Sequence, residues 1–100
     1  MKLERQKKST YAEHLNSMFR LRYNDSEAMQ MELVEVSEIG PVGEYQFSLI
    51  FIAPADAPPY QGLYTIEHEA IGSLAVLLVP IRKNSKGLYY QAIFNSPPMD

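Results

Sequence analysis

Few residues in this chain could do chemistry. His14 and His68 are its imidazoles and cysteine is absent, so a zinc site would need both histidines converging with a carboxylate. Glu67 and Glu69 flank His68. Neighbours on a strand point to opposite faces, so these acids project away from His68 and do not chelate with it. His68 is expected to be a hydrogen-bonded structural residue, as is His14 near the end of a short helix. The serines, from Ser9 to Ser96, lie in no Gly-x-Ser-x-Gly elbow and have no base close by in sequence. Gly40 and Gly43 lack the following Lys-Ser or Lys-Thr of a phosphate loop. Glu32, Glu35, Glu38 and Glu44 supply acids, but no sugar cleft accompanies them. They are expected to be solvated surface charge. The expectation is no catalytic residue, no metal ligand and no cofactor, hence no enzyme.

Tyrosine is the richer signal, with seven in 100 residues. It joins a rigid contact area to a polar tip and is enriched at interfaces. Tyr60, Tyr64, Tyr89 and Tyr90 gather in the C-terminal half. Tyr89 and Tyr90 are adjacent and face opposite ways on a strand, so one must leave the core or lie under a neighbour. The outward ring either shields a cross-strand pair or meets a partner. Pro58-Pro59-Tyr60 closes a proline-rich segment, 53–60. It is either a plain rim loop or a second contact surface, rigid enough to lose little entropy on binding. The candidate partner-binding residues are therefore Pro58, Pro59, Tyr60, Tyr64, Tyr89 and Tyr90.

The elements that must position them are strands. Tyr45, Phe47, Leu49 and Phe51 alternate with Gln46, Ser48, Ile50 and Ile52, which is the period of a strand with a buried face. Six such segments are predicted: 18–23, 28–36, 45–53, 63–69, 73–81 and 88–94. In the second, Met29, Met31 and Leu33 lie in one phase and Val34 and Val36 in the other, so a bulge near Leu33 is expected, or else a two-sided strand. The fifth is the most apolar and is expected to be central or covered on both faces. Residues 82–87 read as a polar hairpin loop. Thr10-Tyr11-Ala12-Glu13 reads as a capping box that opens a helix over 11–16. Links this short join antiparallel neighbours. The predicted fold is mainly β: one small antiparallel barrel or sandwich of about six strands with one short N-terminal helix. Domain limits are a basic flexible N-terminus at 1–9, the β domain at 10–95 and a tail at 96–100.

Net charge is −3, which argues against nucleic acid as a partner. Lys2, Arg5, Lys7 and Lys8 concentrate positive charge at the start against Glu4 alone. No signal peptide follows them, because Glu13, His14, Asn16 and Arg20 interrupt the apolar residues. The longest apolar run, 74–81, is strand-sized, so no membrane partner is expected. Synthesis in the cytoplasm is expected, with a final place there or in a larger or released assembly.

Several blocks carry a resemblance. Leu33-Val34-Glu35-Val36-Ser37-Glu38 is followed by Phe47-Ser48-Leu49-Ile50-Phe51, then by Gln61-Gly62-Leu63-Tyr64-Thr65-Ile66-Glu67-His68. Gly72, Leu78-Val79-Pro80-Ile81 and Gly87-Leu88-Tyr89-Tyr90-Gln91-Ala92-Ile93-Phe94-Asn95 complete the order. Over 11–95 the chain resembles a small bacterial family described only as a domain of unknown function. The family has no assigned catalytic residues to carry over. Some relatives resemble accessory genes near phage-tail-collar-type fibre proteins, which implies a structural or assembly component of a tail-like or fibre system. The expected function is a non-enzymatic structural or protein-interaction module, its partner a fibre or tail-like subunit or a second copy. The alternative is a small-ligand-binding barrel lined by Phe19, Phe47, Phe51 and Tyr64.

Overall fold

The computed structural model describes residues 6–41 and 43–95. One helix, α1 (Lys8–Ala12), precedes six strands: β1 (Met18–Arg22), β2 (Ala28–Glu38), β3 (Gln46–Ala53), β4 (Gly62–His68), β5 (Gly72–Asn84) and β6 (Gly87–Asn95). The strands close into an antiparallel barrel in the order β1-β2-β3-β6-β5-β4, with β4 paired back onto β1. Two three-strand meanders, β1–β3 and β4–β6, therefore form the two halves of the wall. The link from β3 to β4, residues 54–61, joins strands on opposite sides of the ring.

Alternation explains the core. Phe47, Leu49 and Phe51 of β3, Phe19 and Leu21 of β1, and Leu88, Tyr90 and Ala92 of β6 point inward and are buried. Closure removes the free strand edges that would otherwise recruit other chains. The register of β2 against β3 shifts between Leu33 and Glu35. This is the bulge expected from the change of hydrophobic phase, and it places Leu33 and Val36 opposite Phe51 and Leu49.

Three local expectations are corrected. The helix begins at Lys8 and ends at Ala12, and no side chain of its own N-cap closes it. Thr10 is helical, so Thr10–Glu13 is not a capping box. The caps come from Glu44, far along the chain: its carboxylate accepts from the Ser9 N–H at 2.9 Å and the Ser9 hydroxyl at 3.1 Å, and its carbonyl accepts from the Lys8 N–H at 2.7 Å. Lys8 also pairs with Glu38 at 2.6 Å. Lys8 and Ser9, expected in a flexible terminus, thus belong to α1; residues 1–5 and 96–100 lie outside the described residues.

The second correction concerns β5, which is not covered on both faces. Val76 and Leu78 fill the interior while Leu77 stands in solvent. Its apolar run reflects one buried face and one exposed aliphatic face. The third concerns 82–87. Arg82, Lys83 and Asn84 continue β5 and pair with β6, because a ribbon wet on its outer side tolerates polar residues on the strand. The connection is two residues, Ser85 and Lys86, with the Asn84 side chain accepting from the Lys86 N–H at 2.8 Å. Gly87 follows at φ +143, a conformation that a side chain would strain.

Each barrel mouth has its own plug. At one, Tyr11 of α1 is fully buried between Phe19, Phe47 and Phe94, with ring centroids 5.6–6.4 Å away. Phe47 and Phe94 themselves stack at 4.8 Å. At the other, the 54–61 link crosses the opening and sinks Ala57 into the core. Prolines suit this route, since a buried N–H over an apolar mouth would need a partner that proline does not require.

Candidate interaction surface

The two tyrosine pairs of the sequence have different fates. Tyr90 is wholly inside, and its hydroxyl donates to the Pro58 carbonyl. Burial, then the neighbouring Tyr64, pushes its pKa up to about 12. Tyr64 lies half-buried with its ring 6.3 Å from that of Tyr90, and its hydroxyl donates to the Tyr60 carbonyl at 2.8 Å. Burial also raises the Tyr64 pKa. Two phenols therefore reach out of the barrel and hold two carbonyls of the crossing link. Tyr64 and Tyr90 position the loop rather than present their own rings.

Tyr89 faces outward from the barrel yet is buried. The Arg82 guanidinium sits 4.3 Å over its ring, and Asn84 donates to its hydroxyl at 3.4 Å. The outward ring is thus covered by β5 of its own chain. Among the six candidates, the exposed surface belongs to Pro59 and Tyr60, with Pro58 half-buried. Tyr60 is 73% exposed.

Sequence reasoning missed the aliphatic residues beside this loop. Leu63 on β4 is paired with Leu77 on β5, and both face outward, 74% and 52% exposed. Ile93 on β6 is 61% exposed. It lies one pleat beyond Gln91, the partner of Val79, on the same outer face. The flanking outward positions are Thr65, Ala75, Val79 and Gln91, none of them charged. The available signal was Leu74 to Ile81, an apolar run too long for one buried face of a strand.

The rings proposed to line a ligand pocket are packed against one another and their neighbours. Phe19 meets Phe51 edge-on at 5.2 Å, and Phe47 is stacked on Phe94.

The histidines, separate in sequence, come together. Their ring centroids are 4.5 Å apart, and Phe19 packs on the His68 ring at 4.5 Å. His68 Nε2 lies 3.0 Å from Ser17 Oγ. Such a pair resembles a nucleophile and its base, but the proton inventory runs the other way. The Ala70 and Ile71 N–H groups donate to Nδ1 at 3.0 and 3.4 Å. Nδ1 must be the unprotonated nitrogen, so Nε2 carries the hydrogen and donates to Ser17 Oγ. Ser17 in turn donates to the His14 carbonyl at 2.5 Å. The imidazole facing Ser17 has no lone pair free to take its proton, so this pair does not form an activated serine. Burial, then the proximity of His14, lowers the His68 pKa against an opposing pull from Glu69. Glu67 points outward between Arg20 and Arg22, at 2.9 and 3.2 Å, and both arginines lower its pKa by hydrogen bonding. No group of three or more His, Cys, Asp or Glu among the described residues could hold a metal ion. No helix among them is long and apolar enough to cross a membrane.

Among curated proteins and among solved structures, nothing matches the chain. A sequence profile described as Domain of unknown function (DUF6916) matches residues 7–94, a span that takes in α1 and all but the last residue of the barrel. The chain belongs to that family.

Proposed function

We propose that this domain is a non-enzymatic interaction module that docks a protein subunit through the outer face of β4, β5 and β6. The observation that carries this reading is the uncharged aliphatic set Leu63, Leu77 and Ile93, at least half exposed on adjacent strands. Exposed apolar residues grouped on one face, rather than scattered singly, are the kind of surface that protein contacts use. The neighbouring link adds Pro59 and Tyr60 at its rim, fixed in place by the Tyr64 and Tyr90 hydroxyls. A contact held rigid before binding loses less entropy when the partner arrives. The reversed polarity of the Ser17–His68 pair supports a role without bond chemistry.

That some relatives resemble accessory genes near fibre proteins is the ground for taking a fibre- or tail-type subunit as the partner of this proposal. The test is co-expression with the subunits encoded beside this gene, with capture on a tag and light scattering of the purified domain. The wild-type chain should capture one such subunit. Leu77→Glu should weaken that capture by roughly tenfold or more, about 1.4 kcal/mol, while leaving cooperative unfolding intact. Equal capture by Leu77→Glu, or a wild-type chain that captures none of them, would overturn the proposal. Concentration-dependent dimers that Leu77→Glu abolishes would replace the subunit with a second copy as occupant.

A further inference from the structure

We propose that His68 is an acid-sensitive clasp that holds the β4–β5 turn against the 14–17 bend and keeps one mouth of the barrel closed. The geometry leaves its ring no spare valence. Nδ1 accepts from the Ala70 and Ile71 amides, and the Nε2 hydrogen is directed at Ser17 Oγ. A second proton can go only to Nδ1, where two N–H groups already point. Protonation therefore converts an acceptor into a donor facing donors, and both turn hydrogen bonds are lost.

The surroundings make that loss consequential. The Asn16 N–H donates to the Leu33 carbonyl at 2.7 Å, and the Leu33 N–H donates to the Ser17 carbonyl at 3.1 Å. The bend is thus stitched to the bulge of β2 on one side and, through Ser17, to His68 on the other. Ile71 of the turn packs on the core. Releasing the turn exposes Ile71 and uncovers the Phe19 ring on which His68 lies.

Among the described residues, the charges that act on His68 come from two elements. His14, on the segment after α1, is a like charge when both are protonated, and Glu69, on the turn, is an opposite one. β1 and the residue before it contribute only Phe19 and Ser17, which carry no charge. Glu67 on the same strand is turned outward to its arginines. Desolvation and His14 outweigh Glu69, so the folded-state pKa lies below the ordinary 6.5. An open turn takes up a proton more readily than a closed one. Closure is complete above 6.5 and weakens as pH falls through the lower, folded-state value.

The test is amide hydrogen exchange followed residue by residue by NMR, together with the nitrogen shifts of the His68 ring. At neutral pH the ring should carry its hydrogen on Nε2, and the Ala70 and Ile71 amides should be protected. Between 6.5 and the lower folded-state pKa their opening constant should rise, with a limiting slope of about tenfold per pH unit for a one-proton event, and then level off, while amides of β3 and β6 stay protected. His14→Gln removes the like charge and should move the transition to higher pH. His68→Asn keeps an acceptor near the Nδ1 position without titrating, and should abolish the pH dependence. A hydrogen found on Nδ1 at neutral pH would overturn the proposal. So would turn protection that stays flat while His68 titrates, or an unchanged transition in His68→Asn.

Discussion

Tyr90→Phe isolates one hydroxyl while keeping the ring that fills the barrel. The ring has no exposed surface, and its hydroxyl donates to the carbonyl of Pro58 on the crossing link. The substitution opens no cavity of consequence, so no packing cost applies. What it leaves is a carbonyl over an apolar mouth without its donor. Stranding a buried acceptor costs about 1–3 kcal/mol. Pro58 is half-buried, so water can recover part of that, and about 1–2 kcal/mol is expected. In a domain of this size each kcal/mol moves the melting temperature by about 4–8 °C, so a fall of roughly 5–15 °C should be seen by calorimetry at neutral pH. Tyr64→Phe removes the second staple, whose acceptor Tyr60 is exposed, and should cost about 0.5–1 kcal/mol. Because both hold one loop, the double variant should lose less than the two single losses combined. Limited proteolysis should show cleavage within 54–61 rising in the same order. A melting temperature within about 1 °C of wild type, or unchanged cleavage, would refute the idea that the phenols hold the link.

Gly87→Ala should be among the most damaging single-atom additions. Its new Cβ would stand 2.1 Å from the Ala53 carbonyl oxygen at φ +143, and a loss of about 3 kcal/mol or more is expected in urea unfolding. Gly72→Ala is its control, with φ +96 but open space around the Cβ, so about 1–2 kcal/mol of backbone strain alone should appear. Glu44→Ala removes the carboxylate cap of α1. It should cost about 1 kcal/mol and reduce exchange protection at Ser9 before that of the barrel strands. Tyr11 and Tyr90 are each pushed up to about 12 by burial from an ordinary 10.0. The unfolded chain releases those protons first, so their contribution is complete below pH 10 and lost as pH rises toward 12. Thermal melts across that window should fall, with a shallower slope in Tyr90→Phe.

What the sequence made legible is what depends on near neighbours. Phe47, Leu49 and Phe51 declare an inward face because each repeats at two residues. The bulge near Leu33 is visible because the hydrophobic phase changes there. Contacts between distant segments left no local trace. Glu44 caps Ser9 from 35 residues away, and Ser17 reaches His68 across 51. Thr10–Glu13 offered a plausible local cap, and the distant carboxylate won because β2 and β3 deliver it to the helix start. Tyr89 and Tyr90 show the same limit. Alternation requires one to face out, but only the β5–β6 register reveals that Arg82 covers it. The exposed Leu63–Leu77 pair was hidden for the converse reason, since an apolar run looks buried until closure of the barrel assigns its outer face to solvent.

The two mouths of this barrel are closed by different physics. One carries a proline-rich link held by phenols that stay protonated until strongly alkaline pH. The other carries a helix seated on Tyr11 and a turn held by an imidazole whose pKa burial holds below the ordinary 6.5. β4 separates them, running from Gly62 beside the link to His68 at the turn, about 20 Å at the usual rise of a strand. Perturbations so far apart and without shared partners add. The destabilisation caused by Tyr90→Phe should therefore be the same on either side of the His68 transition. The apolar face built from Leu63, Leu77 and Ile93 lies on the wall between the mouths, where neither closure has to break for a partner to dock. If acid released the bound subunit while that face stayed intact, binding would have to reach the clasped mouth as well. The separation of the two ends, not either one alone, is what makes that outcome diagnostic.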